Sequence, residues 1–544
     1  MKYSFLLVVL WLLFSACMKG EHVDLIIHNA RVHVMDESLT IEEAVAISDG
    51  KIVEVGPERQ ILNKYSGDEE IDAQGKDVYP GLTDAHGHIF SYANQKLNLD
   101  LVGSKSLQEV VYRCEKFYSL TGKNFLIGRG WDQTIFGKDE MPNSTLLNEK
   151  FPQIAICLYR VDGHAVLIND YLLKKAGITA KTKIDGGEIE IINGKPSGLL
   201  IDNAMNLIEP YLPKNSYREM EEKFMEIQRE LVQYGITGVH EAGISFEQLK
   251  FLKKIIKKNK LDLNVYAMLL PSNKNKEFAR KNGPFSYRNL EVKSFKVYVD
   301  GALGSRGALL KKSYSDKANS KGLLLTQVSE LRGLSDFCLN TNYQLNFHGI
   351  GDSSISLILD ICKSVFERKK DHRFRIEHAQ VIDPNDLKKF ADFAVFPSVQ
   401  PTHAVSDCRW VEQRIGKSRL NGAYAYKSLI NQYGMVAIGT DFPVENIDPF
   451  ATIHAATQRK NINNQPANGF LLNESISFDE VMKGMTIWAA FAEFSENKRG
   501  TIEKGKEATI VIFDKPLSPT ADYTQNFAWK TFIRGKLVFQ LGEL

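Results

Sequence analysis

Eight apolar runs of strand length recur through the middle of the chain, most of them separated by stretches of helical character. They are "YPGLTDAH" (79–86), "GITGVHEAG" (235–243), "DLNVYAMLL" (262–270), "SFKVYVDG" (294–301), "YQLNFHGIG" (343–351), "FRIEHAQV" (374–381), "FAVFPSVQ" (393–400) and "GMVAIGTDFP" (434–443). Segments such as "SISLILDICKSVFERKK" (354–370) and "PNDLKKFA" (384–391) carry helix patterning between them. Strands that alternate with helices pair in parallel, and this repetition predicts an α/β fold of the (β/α)8 TIM-barrel type. At 544 residues the chain is longer than a bare barrel needs. A large insertion, about residues 100–230, follows barrel strand 1. Both ends read as short strands with turn residues between them, for example "EEAVAISDGKIVEVG" near the start and "ATIVIFD" (508–514) near the end. The expected organisation is a small β-sandwich domain formed by both termini (residues 22–78 plus 500–544) and a barrel over residues 79–499.

The first residues differ from all that follows. "MKYSFLLVVLWLLFSACMKG" has one early lysine, an apolar run from Phe5 to Phe14, then small residues and Cys17. The run is short for a membrane span and fits a signal-peptide core, so residues 1–17 are expected to be a signal. "FSAC" resembles a bacterial lipoprotein signal, in which Cys17 becomes the lipidated N-terminus; plain secretion with nearby cleavage is the alternative. Both imply export to a bacterial cell envelope, and lipidation adds attachment to a membrane. Cys114, Cys157, Cys338, Cys362 and Cys408 are scattered, with no metal-knuckle spacing. Net charge is +2, which argues against a nucleic-acid partner. The basic run "LKFLKKIIKKNK" (249–260) keeps apolar residues at helical spacing and reads as a surface helix.

Within the expected barrel, the polar residues that interrupt the strands fall mostly at their C-terminal ends, where barrels of this type build active sites. His86 and His88 end strand 1, His348 and His378 lie late in strands 5 and 6, and Asp441 ends strand 8. If His86 and His88 share a strand, their spacing of two places both imidazoles on one face. Alternation along "SFKVYVDG" sets Phe295, Val297 and Val299 against the helices and turns Lys296, Tyr298 and Asp300 inward. Singly, each has a plain structural reading: a hydrogen-bonded core histidine, a lysine paired with an interior carboxylate, an aspartate capping a turn. Gathered at one mouth, they read as a metal site.

The motifs "PGLTDAHGH", "GITGVHEAG", "FKVYVDGALGSR", "NFHGIGD", "RIEHAQ", "PSVQPTH" and "IGTDFPV", in this order, resemble the metal-dependent amidohydrolase superfamily. "RVDGHAVLIND" (160–170) points to its amidohydrolase-3 branch, which includes N-substituted formamide deformylases and YtcJ-like proteins. The resemblance runs from about Val23 to the C-terminus. "THAVSDCRW" follows the pattern loosely, and Glu241 stands where the branch more often has Asp. The resemblance implies that His86, His88, Lys296, His348, His378 and Asp441 hold one or two divalent metal ions, with Lys296 carboxylated by CO2 to a bridging carbamate. Imidazole and carboxylate ligands suit zinc, while manganese, iron and nickel stay open. It further implies hydrolysis of a non-peptide C–N bond in a small molecule, an N-substituted amide or formamide, by a metal-activated hydroxide. Asp441 would serve as general base and then acid. His164 is the candidate for steadying the oxyanion, or else caps a turn; Asp300, Arg306, Gln400 and His403 are candidate substrate contacts. A deaminase or cyclic-amide hydrolase on the same scaffold competes with this reading, as does a catalytically silent envelope binding protein. Homo-oligomer formation is left open.

Overall fold

The eight runs form eight parallel strands: β1 Leu82–Gly87, β2 Ile236–Ile244, β3 Asn264–Leu269, β4 Leu290–Tyr298, β5 Gln344–Gly349, β6 Arg375–His378, β7 Phe396–Val399 and β8 Ala437–Ile438. They neighbour one another in chain order within one sheet of the computed structural model, which describes residues 20–137, 141–518 and 526–542. Registers such as Val297 with Phe347 and Phe347 with Ile376 keep the strands level. Every position of β1, β3, β5, β6 and β7 is buried, as expected of a parallel sheet covered on both faces. Just past β8 the chain returns to β1. The Asp441 amide donates to the His86 carbonyl (2.8 Å), and Thr440 donates to the Asp84 carboxylate through its amide (3.0 Å) and hydroxyl (2.7 Å). The barrel is thereby nearly closed, and β8 itself is far shorter than its apolar run.

The chain divides into two compact units. One holds the described residues up to Thr83, Leu231–Thr237 and those from Thr486 onward; the other holds Asp84–Glu230 and Gly238–Met485. In the first, a four-stranded and a six-stranded sheet form, and strand Ile510–Phe513 from the C-terminal end pairs with Asp77–Pro80 from the N-terminal end. Leu25, Ile27, Val45 and Val78 share one apolar core with Ile510, Ile512 and Phe532. In the second unit, between β1 and β2, six further strands build a separate sheet. Alternation along its strand Ala155–Arg160 sends Ile156 and Leu158 into one core and Ala155 and Cys157 into another, so both faces are covered. This sheet carries Arg129, Arg160 and Asp202 at the ends of its strands.

The basic run forms helix Phe246–Lys257, opened by a capping box between Ser245 and Gln248 and burying Leu249, Leu252, Ile255 and Ile256. Each of those side chains contributes about 1.5–3 kcal/mol through burial, while Lys250, Lys254 and Lys257 stay exposed. Cys114, Cys157, Cys338, Cys362 and Cys408 are free thiols. Residues 1–17, with Cys17, lie outside the described residues; among those described, no helix is long and apolar enough to cross a membrane.

Candidate metal centre

Four histidines surround the Asp441 carboxylate. His88 Nε2 lies 3.2 Å and His86 Nε2 3.7 Å from Oδ1, while His403 Nε2 lies 3.2 Å and His378 Nδ1 4.0 Å from Oδ2. The His348 ring packs 4.5 Å from that of His378, centroid to centroid, and its Nε2 is buried with no hydrogen-bond partner. Two triads could each hold a cation, His86–His88–Asp441 and His378–His403–Asp441, their ligand atoms lying within 4.8 Å of one another. A buried imidazole nitrogen without a partner, beside a carboxylate shared by two triads, is a donor set that fits a divalent ion.

The His86–Gly87–His88 spacing works differently from a strand pair. β1 ends at Gly87, and His88 sits beyond it as the residue that opens helix Ile89–Leu97, so the two rings meet edge to face at 5.3 Å. Gly87 lies flush against Phe442, where an added Cβ would come within 2.3 Å of the ring. Asp441 and His378 both hold positive φ (63° and 75°), a conformation that side-chain-bearing residues adopt at a cost and that clusters at functional sites.

Buried partners aim these rings. His86 Nδ1 meets Glu377 Oε2 at 2.6 Å, and Glu377 is in turn gripped by Arg375 at 2.8 Å. Arg375 also donates to the Ala85 carbonyl and the Ser398 hydroxyl, both at 2.9 Å. With Nδ1 committed to a carboxylate, the Nε2 lone pair of His86 is presented to the centre. His378 Nδ1 meets Gln400 Oε1 at 2.8 Å. Glu241 accepts from the amides of Ile89 (2.5 Å) and Phe90 (3.3 Å) and so holds the turn after His88. Burial pushes the Glu241 carboxyl up to about 8 and that of Asp84 up to about 7.

Burial, and then the Lys296 charge, bring His86 down to about 4. Burial, reinforced by neighbouring histidines, holds His348 and His378 well below the usual imidazole range. All three are therefore neutral, the form that binds metal. Burial opposes charge on Asp441, yet hydrogen bonds from His403 and His88 keep it well below the usual carboxylate range. His403 goes the other way: burial is outweighed by Asp441 and Glu445, which raise it well above 6.5. A proton and a divalent cation would compete for that Nε2.

Lys296 is 1% exposed, and its Nζ stands 3.2 Å from His86 Nε2, inside the barrel as alternation requires; burial brings its amine down to about 8. His164, on the insertion, donates through Nδ1 to Asp202 Oδ1 at 2.7 Å, and its ring lies 5.0 Å from that of His348. Asp202 is buried at φ 51°, ψ −126°, in space left by Gly301 and Gly307, where a Cβ would come within 2.2 Å of its Oδ2. Burial disfavours a charged His164, but Asp202 outweighs it and raises the imidazole pKa.

The residues expected as substrate contacts each have partners within the protein. Asp300 is fully buried and accepts from the amides of Leu309, Ile350 and Gly351 and the Ser354 hydroxyl at 2.7–3.1 Å, tying loops together. Arg306 pairs with Asp316 at 2.9 Å, and Gln400 supports His378. His403 belongs with the Asp441 cluster. Arg375 and Glu377 were not among the expected residues, although alternation in "FRIEHAQ" turns both to one side. Asp202 and Arg129 carried no comparable signal. The centre opens into a cavity of about 500 Å³ that also reaches Arg129, Arg160, His164 and Asp202.

The amidohydrolase family model matches residues 69–539. The chain is 28% identical to YtcJ of Bacillus subtilis over 94% of its own length and 99% of that protein, and 24% identical to the N-substituted formamide deformylase of Arthrobacter pascens over 95% and 98%. It superposes on the crystal structure of an uncharacterized metal-dependent hydrolase from Pyrococcus horikoshii with a TM-score of 0.74 at 25% identity, covering 92% of this chain and 99% of the other. With ordered motifs, a barrel and a histidine–aspartate cluster at its mouth, the chain belongs to the amidohydrolase family and is a hydrolase acting on C–N bonds.

Proposed function

We propose that this protein is a metal-dependent hydrolase of an N-substituted amide or formamide, splitting it with water into a carboxylic acid and an amine. The observation that carries this reading is the convergence of His86, His88, His378 and His403 on the single carboxylate of Asp441. His86, His88, His348, His378 and Asp441, with Lys296, would hold one or two divalent ions, zinc suiting these donors best. When bound, such an ion acidifies water towards a pKa of about 7 and polarises a carbonyl oxygen. Asp441, kept ionised, accepts the proton of the attacking water and returns it to the nitrogen of the departing amine. His164, oriented by Asp202, donates a hydrogen bond to the oxygen that becomes negative. Lys296 would add CO2 through its neutral amine, forming an N–C bond and releasing one proton; burial favours that neutral form. The leader-like residues 1–17 support export to the cell envelope, with Cys17 as the attachment point if lipidated.

The test is turnover of N-benzylformamide by zinc-loaded protein, read as formate and benzylamine in equal amounts, lost on chelation and restored by zinc. Ammonia release from aminopurines without any cleavage of N-formyl or N-acetyl amines would replace this reading with a deaminase.

A further inference from the structure

The cavity contains one guanidinium that the site described so far does not use. Arg129 projects from strand Phe125–Trp131 of the insertion and lines the same cavity as His88, Tyr298 and Asp441. Its Nε and Nη2 both donate to the Val161 carbonyl, at 3.3 and 3.0 Å, so one edge of the planar fork is spent on backbone. Val161 is itself fixed, its amide donating to the Trp131 carbonyl at 3.0 Å. Gly163, at φ 75°, lets the turn lie against the guanidinium: a Cβ there would stand 3.3 Å from Nη2 and 3.6 Å from Cζ. Arg129 is thus held from two sides, with its Nη1–Nη2 edge unspent.

The other cations of the cavity are accounted for. Arg160 is clasped by Asp132 at 2.8 Å and by Asp162. Lys296 sits against His86, and Arg409 is exposed, its Nε donating to the Ser406 carbonyl. Among the described residues no carboxylate lies within ion-pair distance of Arg129. Burial lowers its pKa more than Asp441 and Asp162 raise it, so the charge is left under-compensated. A guanidinium stays protonated regardless, and its end-on edge matches a carboxylate in bidentate geometry.

We propose that Arg129 is a specificity-determining residue whose unspent Nη1–Nη2 edge binds a carboxylate of the substrate, so that the amide cleaved at the metal centre is an N-acylated or N-formylated amino acid rather than a neutral amide. This names the substrate class of the hydrolase reading above and rests on it. A single partly buried fork offers three remaining N–H donors, enough for one planar carboxylate, and a cavity of about 500 Å³ accommodates a molecule that spans from Asp441 to Arg129.

A matched pair of probes separates the two claims: N-formylphenylalanine and N-formylphenethylamine, which differ only by the carboxylate. Zinc-loaded wild type should favour the carboxylated probe about tenfold to a hundredfold in kcat/KM, the range of a hydrogen-bonded charge. Arg129→Gln should bring that ratio close to unity, and Arg129→Lys, which keeps charge without the fork, should leave it intermediate. Independently of turnover, metal-stripped wild type should bind hydrocinnamate at least about tenfold more tightly than hydrocinnamyl alcohol by titration calorimetry, with Arg129→Gln losing the difference. Absence of turnover on both probes, with hydrocinnamate still preferred through Arg129, would sink amide hydrolysis and keep the carboxylate site. Equal use and equal binding of the matched probes by wild type would overturn the proposal even if neither variant folds, as would a preference that survives Arg129→Gln.

Discussion

Asp441→Asn is expected to leave a folded protein with kcat/KM for the proposed amide hydrolysis reduced by at least about 10³-fold. General acid–base groups contribute roughly 10²- to 10⁴-fold, and here the same carboxylate also stands between His88, His403 and His86 at 3.2, 3.2 and 3.7 Å. An amide of the same shape keeps a hydrogen bond to His403 but cannot take a proton from water at neutral pH. The loss should persist at saturating zinc, which separates proton transfer from weakened ion binding. Steady-state kinetics on the zinc-reconstituted variant checks this, with unfolding by denaturant as the folding control. Activity within tenfold of wild type would place the base elsewhere.

Glu377→Gln should produce the second large effect, on stability as much as on activity. Glu377 is fully buried between His86 Nδ1 at 2.6 Å and Arg375 Nε at 2.8 Å. Arg375, His86 and Lys296 together outweigh burial and hold its carboxyl far below the usual range. Neutralising it strands the buried Arg375 guanidinium, a change that costs about 3–5 kcal/mol when one partner of a buried pair is lost. The same substitution frees the His86 ring and should weaken metal binding about 10- to 100-fold. Because the folded pKa of Glu377 is depressed, its contribution is full above the unfolded value of about 4.3 and fades as pH falls through the folded value. Denaturant unfolding of the metal-free proteins should therefore separate wild type from variant at neutral pH, with the gap narrowing in acid. Equal stability at neutral pH would show that the pair carries no net stabilisation.

These effects depend on residues of very different legibility. The barrel was readable because a strand buried on both faces has no choice but an apolar run, and most such runs here carry a polar residue near their C-terminal end. Lys296 was readable for a related reason: alternation leaves it no position except the interior, and it lies there, 3.2 Å from His86. Glu377 shows the same alternation with Arg375, yet in a short strand of four residues, Arg375–His378, the signal was too brief to stand out. His88 kept its place but not its geometry, since the strand ends one residue earlier and a helix begins.

Of the insertion, only its length and the stretch 160–170 with His164 were legible. Asp202 and Arg129 reach the cavity at positions set by strand register and not by local periodicity. Asp300 was read as facing inward and as a candidate substrate contact. It accepts from three backbone amides and a hydroxyl, partners that no spacing rule identifies. His403 was a candidate substrate contact, and helix Pro401–Asp407 carries it to Asp441.

Metal content is the decisive check that these histidines and Asp441 constitute a metal centre. The protein, reconstituted with zinc and freed of loosely held ions, would be analysed for bound metal beside His86→Ala and Lys296→Ala variants. One or two zinc ions per wild-type chain are expected, with a loss in His86→Ala and a fall from two to one or none in Lys296→Ala where the lysine bridges. Wild-type protein that holds no divalent metal after reconstitution would rule out a metal centre.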